Sequence, residues 1–387
     1  MKHLGDITKI NWDEIEPVDC VTGGSPCQDL SIAGKRAGLA GERSGLYMEQ
    51  IRCVKELRKA SERTGKIRPR YMVWENVTGA FSSNGGKDFA TVLEEAVRIV
   101  EPEAPSIPAP AKWPGSGCLV GGGWSIAWRV HDAQFWGVPQ RRKRIALVCD
   151  FGGYTAPEIL FERKGLRGDI TEGRTEREGI AGFAENSIDK TVSRLQRNGI
   201  DRVAYGIGNG QAHEAAAITE EKCQTLNTMH DAQAALCSAV DYRNFTEGGE
   251  INGTLQAKGN GGRSTVRQNV IVRWLTPLEY ERLQGYPDGW TDIGEWADGN
   301  GKKHQSSDSG RYKALGNSIA LPFWFWLLRR ISAQYERPAT LGSLFDGIGG
   351  FPLCWERCNG KGTALWASEI EEFPVAVTKM RFGQKEE

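Results

Sequence analysis

Short apolar runs rich in β-branched residues alternate with longer helix-like stretches at both ends of this chain, and that alternation leaves few folds open. Before residue 151 the runs "PVDCVTGG", "RYMVWENV" and "RIALVCDF" are separated by "YMEQIRCVKELRKASER" and "FATVLEEAVRIV". This is the strand–helix–strand signature of a mostly parallel sheet, so an α/β core is expected. The same texture returns late, in the apolar helix "LPFWFWLLRRISAQY" and then in "ATLGSLFDGIGGF" and "TALWASEIEEFPVAVTKM". Between them the chain is glycine-rich, with charged clusters such as "ERKGLRGDITEGRTEREG" and few periodic segments. Three regions follow: 1–150 as the first part of the core, 151–272 as a smaller, loop-rich domain, and 273–387 as the rest of the core. The proline-rich "EPEAPSIPAPAKWPGSG" reads as an extended surface insertion in the first region.

The 387 residues, 39% of them hydrophobic, are enough for one large or two ordinary domains. No apolar run approaches the roughly 20 residues that cross a bilayer, and "MKHLGDITKINWDEIEP" lacks the pattern of a signal peptide. A cytoplasmic protein without a membrane partner is expected. Nine cysteines without a C-x-x-C pair argue against a disulfide framework or a zinc ribbon. Cys354 and Cys358, four apart, read as packed thiols, and no metal site is expected. Forty-nine basic and forty-nine acidic residues cancel, so bulk charge does not announce a polyanionic partner. Local charge is another matter: "QAKGNGGRSTVRQNVIVR" carries four cations and no carboxylate, and "QRRKR" packs four into five residues.

Two stretches carry chemistry. In "VTGGSPCQDLSIAGKR", Cys27 stands where a strand ends and a glycine-rich, basic segment begins, a place for a reactive thiol rather than a packed one. In "LGSLFDGIGG" a strand runs into a glycine turn and then a helix. Gly347, Gly349 and Gly350 allow close approach of a ligand, and the helix start offers free N–H groups. Pro352 occupies the third glycine position of the dinucleotide pattern G-x-G-x-x-G, which is therefore not met. Glu369, about twenty residues on, follows a second strand and is placed to bind ribose hydroxyls. The unit suits an adenosine-containing ligand.

Together "GGSPCQ", "ENV" at 75–77, "QRRKR" at 140–144, "RWLTPLEYERLQGYPDGW" at 273–290, "ALGNSIALP" at 314–322 and "LFDGIGGF" at 344–351 resemble the motifs of C5-cytosine DNA methyltransferases. Their order departs from that family, in which the glycine-rich motif comes first and "GNS" last. Joining "VTKMRFG" to "KHLGDITKI" restores the usual order, so the sequence resembles a circular permutant cut between the second and third strands. Termini close together at a domain surface make such cuts tolerable. "GDIT" occurs twice; the copy at Asp6 precedes the cysteine motif as the family requires, and the copy at Asp169 is read as coincidence.

The resemblance implies a Rossmann-like methyltransferase core in permuted order, with 151–272 as the target-recognition domain. It implies S-adenosyl-L-methionine as methyl donor, no metal, double-stranded DNA as substrate, and a possible restriction endonuclease as partner to a monomeric enzyme. Cys27 would attack carbon 6 of cytosine, Glu75 would support N3, Arg144 would hold O2, Asn76 would brace the cysteine loop and Arg142 would support the site. For the donor, Phe345 would stack on adenine and Gly347, Gly349 and Gly350 would cradle the amino-acid end. Glu369 and Ile370 would lie at the ribose, Asp6 and Ile7 at the adenine edge, and Asn317 and Ser318 would close the pocket. The segment "QDLSIAGKRAGLAGERSG" would swing over a flipped-out base. An RNA cytosine methyltransferase and a catalytically dead DNA-binding protein are the alternatives; a thiol hydrolase would need a histidine base that the sequence does not place.

Overall fold

The computed structural model describes residues 1–25, 45–63, 65–161, 204–208, 217–220, 234–237 and 271–383. In chain order the strands and helices are β1 (Lys2–His3), β2 (Cys20–Gly23), α1 (Gly45–Glu62), β3 (Tyr71–Asn76), α2 (Lys87–Val97), β4 (Ser116–Val120), β5 (Ser125–Asp132), β6 (Lys143–Asp150) and α3 (Ala156–Leu160). There follow β7 (Ala204–Gly208), β8 (Ala217–Glu220), β9 (Ala234–Cys237), β10 (Ile271–Trp274), α4 (Pro277–Gln284), β11 (Glu295–Ala297) and β12 (Lys303–Gln305). Last come α5 (Asp308–Asn317), α6 (Leu321–Ser332), β13 (Leu341–Leu344), α7 (Gly350–Asn359), β14 (Ala364–Ser368) and α8 (Glu372–Phe382).

Eight strands form one sheet in the order β1-β14-β13-β2-β3-β6-β5-β4. The first five are parallel, and β6, β5 and β4 each run antiparallel to their neighbour. The last two strands of the chain thus lie between its first two. Both faces of the sheet are covered, which explains why the strands read as unbroken apolar runs. On β3, Tyr71 and Val73 enter one core and Met72 and Trp74 the other; on β6, Ala146 and Val148 face the first and Ile145, Leu147 and Cys149 the second. The first core is closed by α6 and α7, where Trp324 stacks edge-on against Phe351 at 5.2 Å. The second is closed by α1, whose Tyr47, Ile51, Val54 and Leu57 recur at three- and four-residue spacing, and by α2.

Helix α4 shows how local signals set one boundary. Thr276 and Glu279 form a reciprocal capping box, Pro277 opens the helix, and Gly285 ends it in the left-handed conformation at φ 81°. The proline-rich stretch lacks regular structure until β4, as expected, although Trp113 is buried and donates to the Gly86 carbonyl at 2.8 Å. Cys354 is buried in the core and Cys358 donates to its carbonyl, the packed pair the spacing suggested. Strands β7 to β10 make a separate four-stranded antiparallel sheet, within and just beyond the stretch read as the second domain. Among the described residues no helix is long and apolar enough to cross a membrane.

The placement of β13 beside β2 is held by Asp19, 2% exposed at the foot of β2. Its carboxylate accepts both terminal nitrogens of Arg337 at 2.7 Å, the Thr340 N–H at 2.8 Å, and lies 3.4 Å from Arg68. Burial alone would raise its pKa; the bonds from Arg337 and Thr340 and the charges of Arg337 and Arg68 outweigh that and hold it below 3.8. A depressed carboxylate stabilises the fold above its unfolded value, and the contribution is lost as pH falls through the folded value. Asp19→Asn should therefore lower unfolding free energy by about 3 kcal/mol at neutral pH. In urea titrations the gap between variant and wild type should close below about pH 4.

Candidate active site

The direction of chain travel reverses between β13 and β2. From β13 the chain passes through α7, on one face, to β14; from β2 it passes through α1, on the other face, to β3. At such a switch point the loops at the carboxyl ends of the strands part, which is where open α/β sheets hold ligands. Here the loops are Phe345–Gly350 and Gly23–Ser25.

The first loop is a strained glycine turn. Phe345 sits at φ 52°, a left-handed conformation uncommon for an aromatic residue and typical of functional loops. Gly347 at φ 55° would carry any side chain into open space, whereas a Cβ on Gly349, at φ 81°, would come within 2.5 Å of Phe382. One side of the loop is thus open and the other packed on α8. Glu369, just past β14, accepts the Gly347 N–H at 2.8 Å through one oxygen and the Ile370 and Glu371 N–H groups through the other. Ile370 is 72% exposed. Asp6 and Ile7 follow β1 on the far side of β14, where the Ser368 hydroxyl donates to the Gly5 carbonyl at 2.7 Å. Asp6 caps the short turn that Ile7 begins, and the Thr8 hydroxyl and N–H lower its pKa.

The loop is also braced from behind by residues the sequence reading passed over. Trp290 donates from its indole to the Ile348 carbonyl at 2.8 Å, and Arg381 on α8 donates to the Trp290 carbonyl at 2.9 Å. Tyr286 and Ser318 share a hydrogen bond, and a Cβ on Gly350 would lie 2.5 Å from the Tyr286 hydroxyl. Ser318 thereby stands beside the glycine loop, with Asn317 at the end of α5 next to it. Trp290 and Tyr286 lie inside the quoted "LQGYPDGW", but no local signal ties them to a carbonyl 58 residues away.

Toward β3 the second group of residues gathers. Glu75 and Arg144 form an ion pair at 2.9 Å, with side chains 13% and 15% exposed. A Cβ on Gly24 would lie 3.0 Å from the Glu75 carboxylate, so this pair borders the loop leading to Cys27. Cys27 itself and the segment after it lie outside the described residues, as does Asp169. Two residues before the cysteine, Ser25 accepts from the Trp74 indole at 3.1 Å and from the Asn76 amide at 3.4 Å. Arg142, 2% exposed, reaches the carbonyls of Gly316 and Ser318 rather than the cleft, tying β6 to the turn after α5. Arg141 is exposed. Among the described residues no cluster of three metal-binding side chains occurs.

A glycine loop, a carboxylate after the next strand and an ion pair at the third strand end lie on one edge of a switch-point sheet, the place where open α/β sheets hold ligands. The chain belongs to the family described as C-5 cytosine-specific DNA methylase, whose model matches residues 1–98 and 119–333. The gap between those spans contains the proline-rich stretch, and the match stops before the glycine loop. Family membership implies S-adenosylmethionine as methyl donor.

Among curated proteins the chain is similar to a DNA N-6-adenine-methyltransferase of Escherichia phage P1, 27% identical over 85% of this chain and 55% of that protein. It is 32% identical to the type II methyltransferase M.BsuFI of Bacillus subtilis, over 83% of this chain and 59% of that one. With the type II methyltransferase M.HpaII of Haemophilus parainfluenzae the identity is 25%, over 82% and 73%. The chain thus spans little more than half the length of the first two. Among solved structures, an S. pombe Dnmt2 methyltransferase aligns with 85% of this chain and 83% of its own at 14% identity and a TM-score of 0.39.

Trp290→Phe removes the indole N–H together with part of the ring and leaves the buried Ile348 carbonyl without its partner. The loss of about 1 kcal/mol should speed amide exchange at Gly347 and Gly349 about fivefold by hydrogen–deuterium exchange. Exchange in β3 and β6 should not change.

Proposed function

We propose that this chain methylates carbon 5 of cytosine in double-stranded DNA, through a covalent bond between Cys27 and carbon 6 of a base turned out of the helix. The observation that carries the reading is the Glu75–Arg144 pair at the strand end bordering the Cys27 loop, in a chain of the C-5 cytosine-specific family. Carbon 5 of cytosine is a poor nucleophile until something adds to carbon 6. A thiolate does so, moving an electron pair onto the ring as an enamine. The charge that builds falls on N3 and on O2, the oxygen of the adjacent ring carbon, and a carboxyl and a guanidinium held side by side match that pair of atoms. Glu75 would serve N3 and Arg144 would serve O2, while Trp74 and Asn76, through Ser25, set where the cysteine loop leaves β2.

The donor, S-adenosylmethionine, would supply an electrophilic methyl group. The residues present fit it: Gly347 opens a space on the free side of a strained turn, and Glu369 stands at the end of the next strand. Phe345, Gly349, Gly350, Ile370, Asp6, Ile7, Asn317 and Ser318 complete the proposed lining. After transfer, loss of the carbon 5 proton to a base returns the electron pair, breaks the carbon–sulfur bond and releases Cys27 as thiolate. Residues 151–272 would read the target sequence.

The phage P1 relative suggests a second reading, methylation of adenine N6. That protein extends well beyond the aligned span. An exocyclic amine needs no thiol adduct, so the cysteine of the sequence "SPCQ" favours cytosine. The type II relatives make a companion endonuclease a reasonable partner. We also infer that the chain order is a circular permutation. The insertion of β13 and β14 between β1 and β2 supports this.

Duplex DNA carrying 5-fluorocytosine at the target tests the mechanism, because fluorine cannot leave as a cation and the adduct cannot break down. Wild type should form a denaturation-resistant complex that requires S-adenosylmethionine, Cys27→Ser should form none, and Glu75→Gln should form it about a hundredfold more slowly. A wild-type enzyme that methylates ordinary DNA yet is not trapped would refute the covalent route. Mass spectrometry of digested DNA separates 5-methylcytosine from N6-methyladenine and so decides between the two readings.

A further inference from the structure

Among the described residues, one buried polar group that the mechanism leaves unexplained lies inside the glycine loop itself. Asp346 follows the left-handed Phe345 and precedes Gly347, and its side chain is turned inward, leaving the residue 5% exposed. One carboxyl oxygen accepts the Ser343 hydroxyl at 2.5 Å; the other is buried with no hydrogen-bond partner. The groups around it do nothing to stabilise a negative charge beyond that hydroxyl. On the β13 side stands Ser343, past the end of β14 stands the carboxylate of Glu369, and from the turn after α4 comes the Tyr286 phenol, itself engaged with Ser318. Among the described residues no lysine or arginine pairs with Asp346. A carboxylate left ionised in such a place costs several kcal/mol, so the group keeps its proton unless a cation comes close to it.

We propose that Asp346 is the counter-ion of the cofactor's cationic end, and that cofactor binding expels a proton from this carboxyl into solvent. The inference rests on the reading that the Phe345–Gly350 loop holds S-adenosylmethionine, whose sulfonium and ammonium bring two positive charges against one carboxylate. In the free protein, burial first and the charge of Glu369 second push Asp346 up to about 7, against the opposing bond from Ser343. Below that value the proton must be removed before the charge pair can form; above it the carboxylate is ready. Affinity should therefore rise with pH and level off above 7, falling about fivefold from pH 7 to pH 6.

Isothermal titration of S-adenosylmethionine into the full chain, without DNA, in buffers of different ionisation enthalpy reads the proton directly. Release of about half a proton at pH 7 and close to one at pH 6 is expected. Asp346→Asn should bind more weakly, with neither proton release nor pH dependence across this range. Ser343→Ala, which removes the only bond favouring the ionised form, should shift the inflection to higher pH, and it keeps the proposal testable if the asparagine variant does not fold. Binding by wild type with no buffer-dependent heat, or an unchanged inflection in folded Ser343→Ala, would overturn the proposal while leaving the cofactor site intact. Absence of any binding would refute the site itself.

Discussion

The site depends on β13 lying in register between β2 and β14. Leu341 to Leu344 pair with Cys20 to Gly23 on one side and with Ala364 to Ser368 on the other, all parallel. Parallel pairing has no tight turn to set its register, so other contacts must hold it. Asp19 does so across more than three hundred residues of chain by gathering Arg337, Thr340 and Arg68 at the foot of the strands. With the feet aligned, the carboxyl ends align too, and the glycine loop opens beside the loop that leads to Cys27.

The carboxyl edge is built as a set of braces rather than as a row of independent side chains. Trp290 holds Ile348, Tyr286 meets Ser318, Arg142 holds the turn at Gly316 and Ser318, and Trp74 with Asn76 holds Ser25. Each brace satisfies a polar group that would otherwise be buried without a partner. Arg381 extends the set to α8 through carbonyls of the turn after α4. The proposed cofactor loop and the "GNS" turn therefore form one mechanical unit, which fits a loop strained at Phe345.

Much of this site was legible from residue types alone. A cysteine after a strand, a glutamate at a strand end and a glycine turn followed by an acidic residue announce their chemistry locally, and the structure sets the last three on one edge of the sheet. The same reading gave Arg142 only a general supporting role, whereas its position just before β6 points it at two carbonyls more than 170 residues away. Asp346 was passed over because, in "LFDGIGG", an aspartate beside a glycine turn is an ordinary surface residue. Only burial makes it unusual.

By itself the sequence determined the class of sheet, because strands covered on both faces must be apolar at successive positions, as "YMVW" and "IALVC" are. It also determined the ends of helices such as α4, where capping box, proline and glycine act within a turn of their own backbone. What it could not determine was which strands are neighbours or which loops share an edge, since hydrogen bonds between distant parallel strands leave no trace in spacing. Tertiary structure decided that the last strands stand between the first, that Glu75 meets Arg144, and that a carboxyl in the glycine loop lies buried with one oxygen unpartnered. These are properties of proximity and desolvation, which arise only when the chain has closed on itself.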